Sequence, residues 1–164
     1  MKPKTSWETA YIGLGSNLSN PKRNVHAALK GISQLRHVEL TAASSLYKSA
    51  PVGVVDQPEF INAVCKVSVC MGPETLLRCL LNIENQFGRV RTVRNGPRII
   101  DLDVLLYGEL RYTSSDVYIP HPRMFSRAFV LKPLIEIAPQ LCTSKIFNLM
   151  ATNDVLKDPS VTKL

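Results

Sequence analysis

Apolar and polar residues alternate most regularly over positions 60–69. Ile61, Ala63, Cys65, Val67 and Val69 fall on one side, with Phe60, Asn62, Val64, Lys66 and Ser68 on the other. A period of two is that of a strand with one core face. The same period runs through Gly96-Pro97-Arg98-Ile99-Ile100-Asp101-Leu102-Asp103-Val104-Leu105-Leu106-Tyr107 and puts Ile100, Leu102, Val104 and Leu106 on one face, Asp101 and Asp103 on the other. Residues 9–14 predict a first strand, ended by the turn-forming Gly15-Ser16-Asn17, and 38–47 predict another. Helical spacing appears after Asn20-Pro21, a cap followed by proline at the first helical position, in Val25, Ala28, Leu29, Ile32 and Leu35. It returns after Gly72-Pro73-Glu74 in Leu76, Leu77, Leu80, Ile83 and Phe87, closed by Gly88. A third helix is predicted to begin at Ser126-Arg127-Ala128-Phe129-Val130-Leu131, to be interrupted or kinked by Pro133, and to end at Pro139. Gly108-Glu109 predicts a hairpin turn from the aspartate-bearing strand into 110–112. From Gln140 only the short apolar run 146–150 precedes a polar tail, which reads as loose.

Strand, helix, strand, strand, helix, strand is the order of a ferredoxin-like α+β sandwich, an antiparallel sheet with helices packed on its faces. A chain of 164 residues fits one domain, 1–164, with a core at about 9–139 and a tail, 140–164, that has no assigned role. The open part of such a sheet is where Asp101, Asp103, Phe60 and Asn62 could converge.

Twenty Lys and Arg against 13 Asp and Glu give a net charge of +7, which favours an anionic partner. Cys65, Cys70, Cys79 and Cys142 form no Cys-x-x-Cys and have no nearby histidine, so neither zinc nor a redox pair is indicated. The basic start lacks a signal peptide's apolar run and no stretch is long enough to span a bilayer, which together predict a soluble, cytoplasmic protein with no membrane partner.

The charge acquires a meaning beside the two aspartates. Their side chains start about 6–7 Å apart on a strand, and two such anions are reconciled by a cation held between them. With oxygen ligands and no His or Cys beside them, that cation is Mg²⁺ or a similarly hard ion. Arg89, Arg91, Arg94 and Arg98 exceed what two carboxylates need, and the surplus suits a phosphate-bearing ligand. An Asp-x-Asp on a half-exposed strand is often only a solvated face; the arginine-rich loop and the Gly96-Pro97 turn favour metal and phosphate. Residues 50–58, a loop with proline near both ends, sit where ligands are usually met. Phe60 and Asn62 share a face and offer a ring for stacking and an amide for donating and accepting, as a flat heterocycle requires. Gly13-x-Gly15 is a weak phosphate cradle, with neither a third glycine nor a Gly-Lys-Ser/Thr following. His26 and His37 read as surface residues, whereas His121, between two prolines, reads as functional.

Gly15-Ser16-Asn17, Asp56-Gln57-Pro58-Glu59-Phe60-Ile61-Asn62, Gly88-Arg89-Val90-Arg91, Gly96-Pro97-Arg98-Ile99-Ile100-Asp101-Leu102-Asp103, Ile119-Pro120-His121-Pro122 and Arg127-Ala128-Phe129-Val130-Leu131 occur in this order. With these anchors the sequence resembles the hydroxymethyl-dihydropterin pyrophosphokinases of folate biosynthesis, from about Tyr11 to Pro139. The resemblance implies pyrophosphoryl transfer from MgATP to the hydroxymethyl group of 6-hydroxymethyl-7,8-dihydropterin, releasing AMP. It implies two Mg²⁺ ions on Asp101 and Asp103. A pterin would lie between Phe60 and Phe129, with Asn62 and backbone groups near Ser49 and Val52 reading its edge. ATP would meet Arg98, Arg91, His121, Glu84, Val104 and Arg127, with Arg89 acting from the loop after closure. Asn95 stands where the family often carries tryptophan, and Leu81 and Asp116 stand where polar or basic ATP contacts are expected. The expected partners are these small molecules, with no nucleic acid, and the expected state is a monomer. The alternatives are a basic ferredoxin-like nucleic-acid-binding module without catalysis and an Mg²⁺-dependent nuclease. Against the first stands the missing alternation of aromatics with glycine; against the second, the missing further acidic ligands.

Overall fold

The computed structural model describes residues 6–88, 95–145 and 153–164. Its centre is a strand pair, β1 (Glu8–Ser16) and β4 (Phe60–Val69), antiparallel with Ile12 opposite Cys65 and Gly15 opposite Asn62. β5 (Asp101–Tyr107) flanks β1, also antiparallel, while β2 (Val38–Ala43) and β3 (Tyr47–Ser49) share the far edge of β4. This is the ferredoxin-like strand order, and it brings β5 and β4 to either side of β1.

One face of the sheet carries α1 (Pro21–Ser33) and α2 (Pro73–Gln86). Ala10, Ile12, Leu14, Ala63, Cys65, Val67, Leu102 and Val104 meet Val25, Ile32, Leu76 and Leu80 there in the main core. α1 starts as predicted: the Asn20 Oδ1 accepts the Arg23 N–H at 3.2 Å, with Pro21 next in line. The other face is only half covered. α3 (Ala128–Ile137) lies over Tyr11, Val64, Leu105 and Leu106, leaving the end of the sheet that holds Gly13, Gly15, Asp101 and Asp103 open. The helix is not interrupted at Pro133 but continues to Ile137, with Leu131 and Leu134 on either side of the proline fully buried.

Four expectations need correction. The 38–47 strand is two pieces, broken where the Ser44 hydroxyl leaves its own strand to accept the Val64 N–H at 3.0 Å. The register of β1 against β5 slips at Leu105, opposite the Tyr11–Ile12 step, so Leu106 packs under α3 and Tyr107 takes its place in the main core. Gly108 does turn the chain, at φ +51°, but residues 110–112 do not pair back on β5. β6 (Tyr112–Thr113) pairs with β7 (Tyr118–Ile119), and the outer side of β5 instead receives the His121 N–H at the Leu105 carbonyl, 2.9 Å away. Finally, the tail is not loose over its described part, since β8 (Thr162–Lys163) pairs antiparallel with β3. The run 146–150 lies outside the described residues.

Candidate active site

The open end of the sheet forms the floor of a pocket of about 510 Å³. β-Strand alternation sends Asp101 and Asp103 into it from β5, Gly13 and Gly15 from β1, and Phe60 and Asn62 from β4. The register sets these across from one another: Asp101 opposite Gly15 opposite Asn62, and Asp103 opposite Gly13. The acids and the aromatic–amide pair are therefore separated by one strand, whose two glycines leave the space above it empty. A Cβ on Gly15 would stand 3.3 Å from the Asn62 Oδ1 and 3.9 Å from the Phe60 ring. The reason for Gly13-x-Gly15 is thus a clear floor, a role its spacing alone did not disclose.

The heterocycle side is held from beneath. Asn62, 4% exposed, donates from Nδ2 to the Ser49 Oγ at 2.7 Å, which fixes the amide so that its carbonyl oxygen points the other way. Ser49, Val52 and Phe129 complete that end, with Ser49 buried and Val52 exposed. The Arg127 guanidinium lies 5.5 Å from the Phe129 ring centroid and that of Arg98 lies 5.8 Å from Phe60, so each aromatic carries a cation.

The acidic side is electrostatically tight. Arg98 Nη1 is 2.5 Å from Asp101 Oδ2, a pair about four-fifths buried. The strand entrance that presents Arg98 is pinned by Asn17, whose Oδ1 accepts the Arg98 N–H at 2.9 Å while its own N–H donates to the Arg98 carbonyl at 3.1 Å. The Asn17 side chain also donates to the Gln57 Oε1 and the Pro58 carbonyl, each at 3.0 Å, and Gln57 Nε2 donates to the Asn95 carbonyl at 2.9 Å. Three loops meet on these two amides. Asn95 occupies the left-handed region at φ +59°, which asparagine tolerates well, and its side chain faces Gly53 across a gap too narrow for a Cβ without adjustment.

His121 enters after a cis Ile119–Pro120 peptide and joins Arg123 and Arg127 at the rim. Burial, then Arg127 and Arg123, push its pKa down to about 4 against a smaller upward pull from Asp101, so the ring is neutral at pH 7. Its Nδ1 accepts the Arg123 N–H at 3.2 Å, leaving the proton on Nε2. Burial and Arg123 also lower the Arg127 guanidinium from its ordinary value, with Asp103 and Asp101 acting in the opposite direction.

Of the expected site residues, the pocket gathers Arg98, Asp101, Asp103, His121, Arg127, Ser49, Val52, Phe60, Asn62 and Phe129. Glu84 and Val104 are not among its lining. Glu84 is 2% exposed on α2 and accepts the Leu102 N–H at 2.8 Å, which anchors β5 from the opposite side of the sheet; Val104 belongs to the main core. Arg89 and Arg91 lie outside the described residues. Arg123, Gly13, Gly15 and Asn17 were not foreseen in these roles, although Arg123 follows His121-Pro122 closely enough to have been counted with the other arginines.

The described residues contain no group of three or more His, Cys, Asp or Glu able to hold a metal. Two carboxylates fit Mg²⁺ nonetheless, since that ion commonly takes one or two carboxylates and completes its shell with water and substrate phosphates.

A family profile described as 7,8-dihydro-6-hydroxymethylpterin-pyrophosphokinase matches residues 11–139. The chain is 51% identical over 133 residues to the 2-amino-4-hydroxy-6-hydroxymethyldihydropteridine pyrophosphokinase of Haemophilus influenzae, covering 81% of this chain and 83% of that one. It is 44% identical over 134 residues to the protein of the same name from Pseudomonas aeruginosa, covering 82% and 83%. A crystal structure of Plasmodium falciparum HPPK-DHPS with pteroate superposes with a TM-score of 0.65 at 12% identity, a likeness of fold that covers 83% of this chain and 40% of the other.

Proposed function

This chain belongs to the 7,8-dihydro-6-hydroxymethylpterin-pyrophosphokinase family, and we propose that the pocket on the open end of its sheet is where the family's reaction takes place. The activity is ATP-dependent transfer of a pyrophosphoryl group to 6-hydroxymethyl-7,8-dihydropterin in folate biosynthesis. The hydroxymethyl oxygen attacks the β-phosphorus of ATP, the bond from that phosphorus to the α-phosphate oxygen breaks, and AMP leaves as the hydroxyl proton is lost.

The pterin lies between Phe60 and Phe129, its polar edge against Asn62 and the backbone near Ser49 and Val52. The single observation that carries this reading is the register of β5, β1 and β4, which supports two carboxylates and an aromatic–amide pair facing one pocket across a glycine floor. That spacing lets an acceptor arm reach from a stacked ring toward a polyphosphate held beside the acids. Phosphoryl transfer needs mainly alignment and positive charge on the moving oxygens.

Asp101 and Asp103 would hold Mg²⁺, two ions in our reading, and the metal would screen the triphosphate and draw charge from it. The protein's own part is positional. Arg98, paired with Asp101 in the structure, turns to the phosphates when the carboxylate is engaged elsewhere. His121 donates its Nε2 proton to a phosphate oxygen without competing for a proton at neutral pH. Arg127 and Arg123 line the same rim, and Arg89 and Arg91 would add charge for the phosphates, as the resemblance implies. Glu84 on α2 and the core-facing Val104 of β5 hold that strand in place beside the nucleotide. The acceptor proton is lost late, with the Asp103 carboxylate as its acceptor.

We read the chain as acting as a monomer. A concave pocket flanked by Phe60 and Phe129 favours this reading over the nucleic-acid module, which would spread its aromatics on an open platform. No helix among the described residues is long and apolar enough to cross a membrane. The test is incubation with ATP, Mg²⁺ and 6-hydroxymethyl-7,8-dihydropterin: AMP in step with pterin consumption is expected, and ADP as the nucleotide product would overturn it.

A further inference from the structure

The family profile stops at residue 139, yet the chain beyond it returns to the pterin half of the pocket. β8 pairs with β3, placing Lys163 opposite Tyr47 and Thr162 opposite Lys48, and the Leu164 N–H donates to the Leu46 carbonyl at 2.9 Å. Val161, 5% exposed, forms a buried cluster with Tyr47 of β3 and Ala128 at the start of α3, and both Phe129 and Val155 pack against it.

Two side chains of α3 reach across to fasten this arrangement. Lys132 Nζ donates to the Asp158 carbonyl at 2.5 Å and the Val161 carbonyl at 2.7 Å. Glu136 accepts from the Ser45 N–H at 2.9 Å, the Ser45 hydroxyl at 2.8 Å and the Tyr47 hydroxyl at 2.5 Å, with Lys163 Nζ 3.6 Å away. A smaller cavity of about 230 Å³ shares Val52, Asn95, Arg123, Arg127 and Phe129 with the main pocket, and Asp158 lines it.

Both pterin walls therefore rest on elements that the tail joins. Phe129 stands on α3, and Ser49, which fixes Asn62, ends β3. β3 is three residues long and would otherwise be an edge strand bonded on one side only. We infer that residues 153–164 are a positioning element for the pterin, bracing β3 against α3 so that Phe129 and the Ser49–Asn62 pair keep the spacing of a flat ring. This rests on the reading of the pocket given above. The tail's hydrogen bonds described above run to β3, to Leu46 and to α3, while Val155 and Leu156 add apolar contact to the cluster that contains Leu105 and Leu106 of β5.

The test compares the full chain with a variant lacking residues 153–164 and with Lys132→Met, which keeps the apolar stem and loses both carbonyl bonds. AMP release is measured while pterin and ATP are varied in turn. The pterin KM is expected to rise about fivefold or more in both variants, with the ATP KM within about twofold of wild type and kcat recovered at saturating pterin. Equal rises in both KM values would mean general loosening and overturn the inference, as would an unchanged pterin KM. Hydrogen exchange of the amides at 47–49 and 130–134 separates this from the reading of the pocket. A wild-type chain that makes no AMP refutes that reading, whereas exchange unaltered by the deletion refutes the brace.

Discussion

Gly15→Ala isolates the glycine floor from the chemistry on either side of it. Gly15 is not in the left-handed region, so alanine suits its backbone, and the less flexible unfolded chain offsets about 0.4–1 kcal/mol of any packing cost. The new methyl would stand 3.3 Å from the Asn62 Oδ1, a few tenths of an ångström inside comfortable contact. Asn62 cannot retreat freely, being 4% exposed and tied to Ser49 at 2.7 Å. Either its amide shifts and the Ser49 bond lengthens, or the methyl occupies space meant for the ligand. Loss of one neutral hydrogen bond costs about 1 kcal/mol, which is about fivefold in affinity. The expectation is a pterin KM raised about five- to tenfold, an ATP KM nearly unchanged, and an unfolding midpoint within about 4 °C of wild type. Gly13→Ala is the control, because the three atoms nearest its Cβ would all belong to the Leu105 side chain, the closest at an ordinary 3.4 Å, and it should change pterin binding less. AMP release against pterin concentration is the assay. A Gly15→Ala enzyme with wild-type pterin KM, or one that loses ATP binding first, would refute the placement of the ring over β1.

Two further outcomes follow from the charges. Asp103→Asn should lower kcat at least about a hundredfold even at saturating Mg²⁺, and chelation should stop wild-type AMP release; a normal rate in the variant would remove Asp103 from both metal and proton roles. His121 should titrate near pH 4 by NMR, and bound MgATP should raise that value by adding negative charge at the rim. Since the unfolded histidine titrates near 6.5, its contribution to stability is fully present above that pH and is lost as pH falls toward 4. His121→Asn should flatten that part of the stability profile, and an unchanged profile would contradict the burial assigned to the ring.

Local pattern was enough wherever an element's neighbours did not disturb its period. The strand over Phe60–Val69 and the Asn20 cap follow from spacing and capping chemistry alone. The same alternation misplaced Leu106, because a one-residue slip against β1 reverses every later side chain and leaves no mark in the sequence of β5 itself. Glu84 enters the list of nucleotide residues through the resemblance alone; its pairing with the Leu102 N–H across from α2 is a tertiary contact that its place in the sequence does not disclose. Polar composition made the tail read as loose, yet two-residue pairing and one buried valine suffice to dock it when Lys132 and Glu136 reach from a distant helix. The structure gathers the aspartates, Arg98, Phe60 and Asn62, which residue type and strand period single out, at one pocket with Phe129, which only the resemblance singles out, whereas the glycines between them become meaningful only once register is known.

The most direct measurement is a crystal grown with a non-hydrolysable ATP analogue, 6-hydroxymethyl-7,8-dihydropterin and Mn²⁺, read by anomalous scattering. The metal peaks are expected against Asp101 and Asp103 and the analogue's phosphates, with the ring between Phe60 and Phe129 and its hydroxymethyl arm over Gly13 and Gly15. Metal bound away from both aspartates, or a ring seated outside that aromatic pair, would contradict the account.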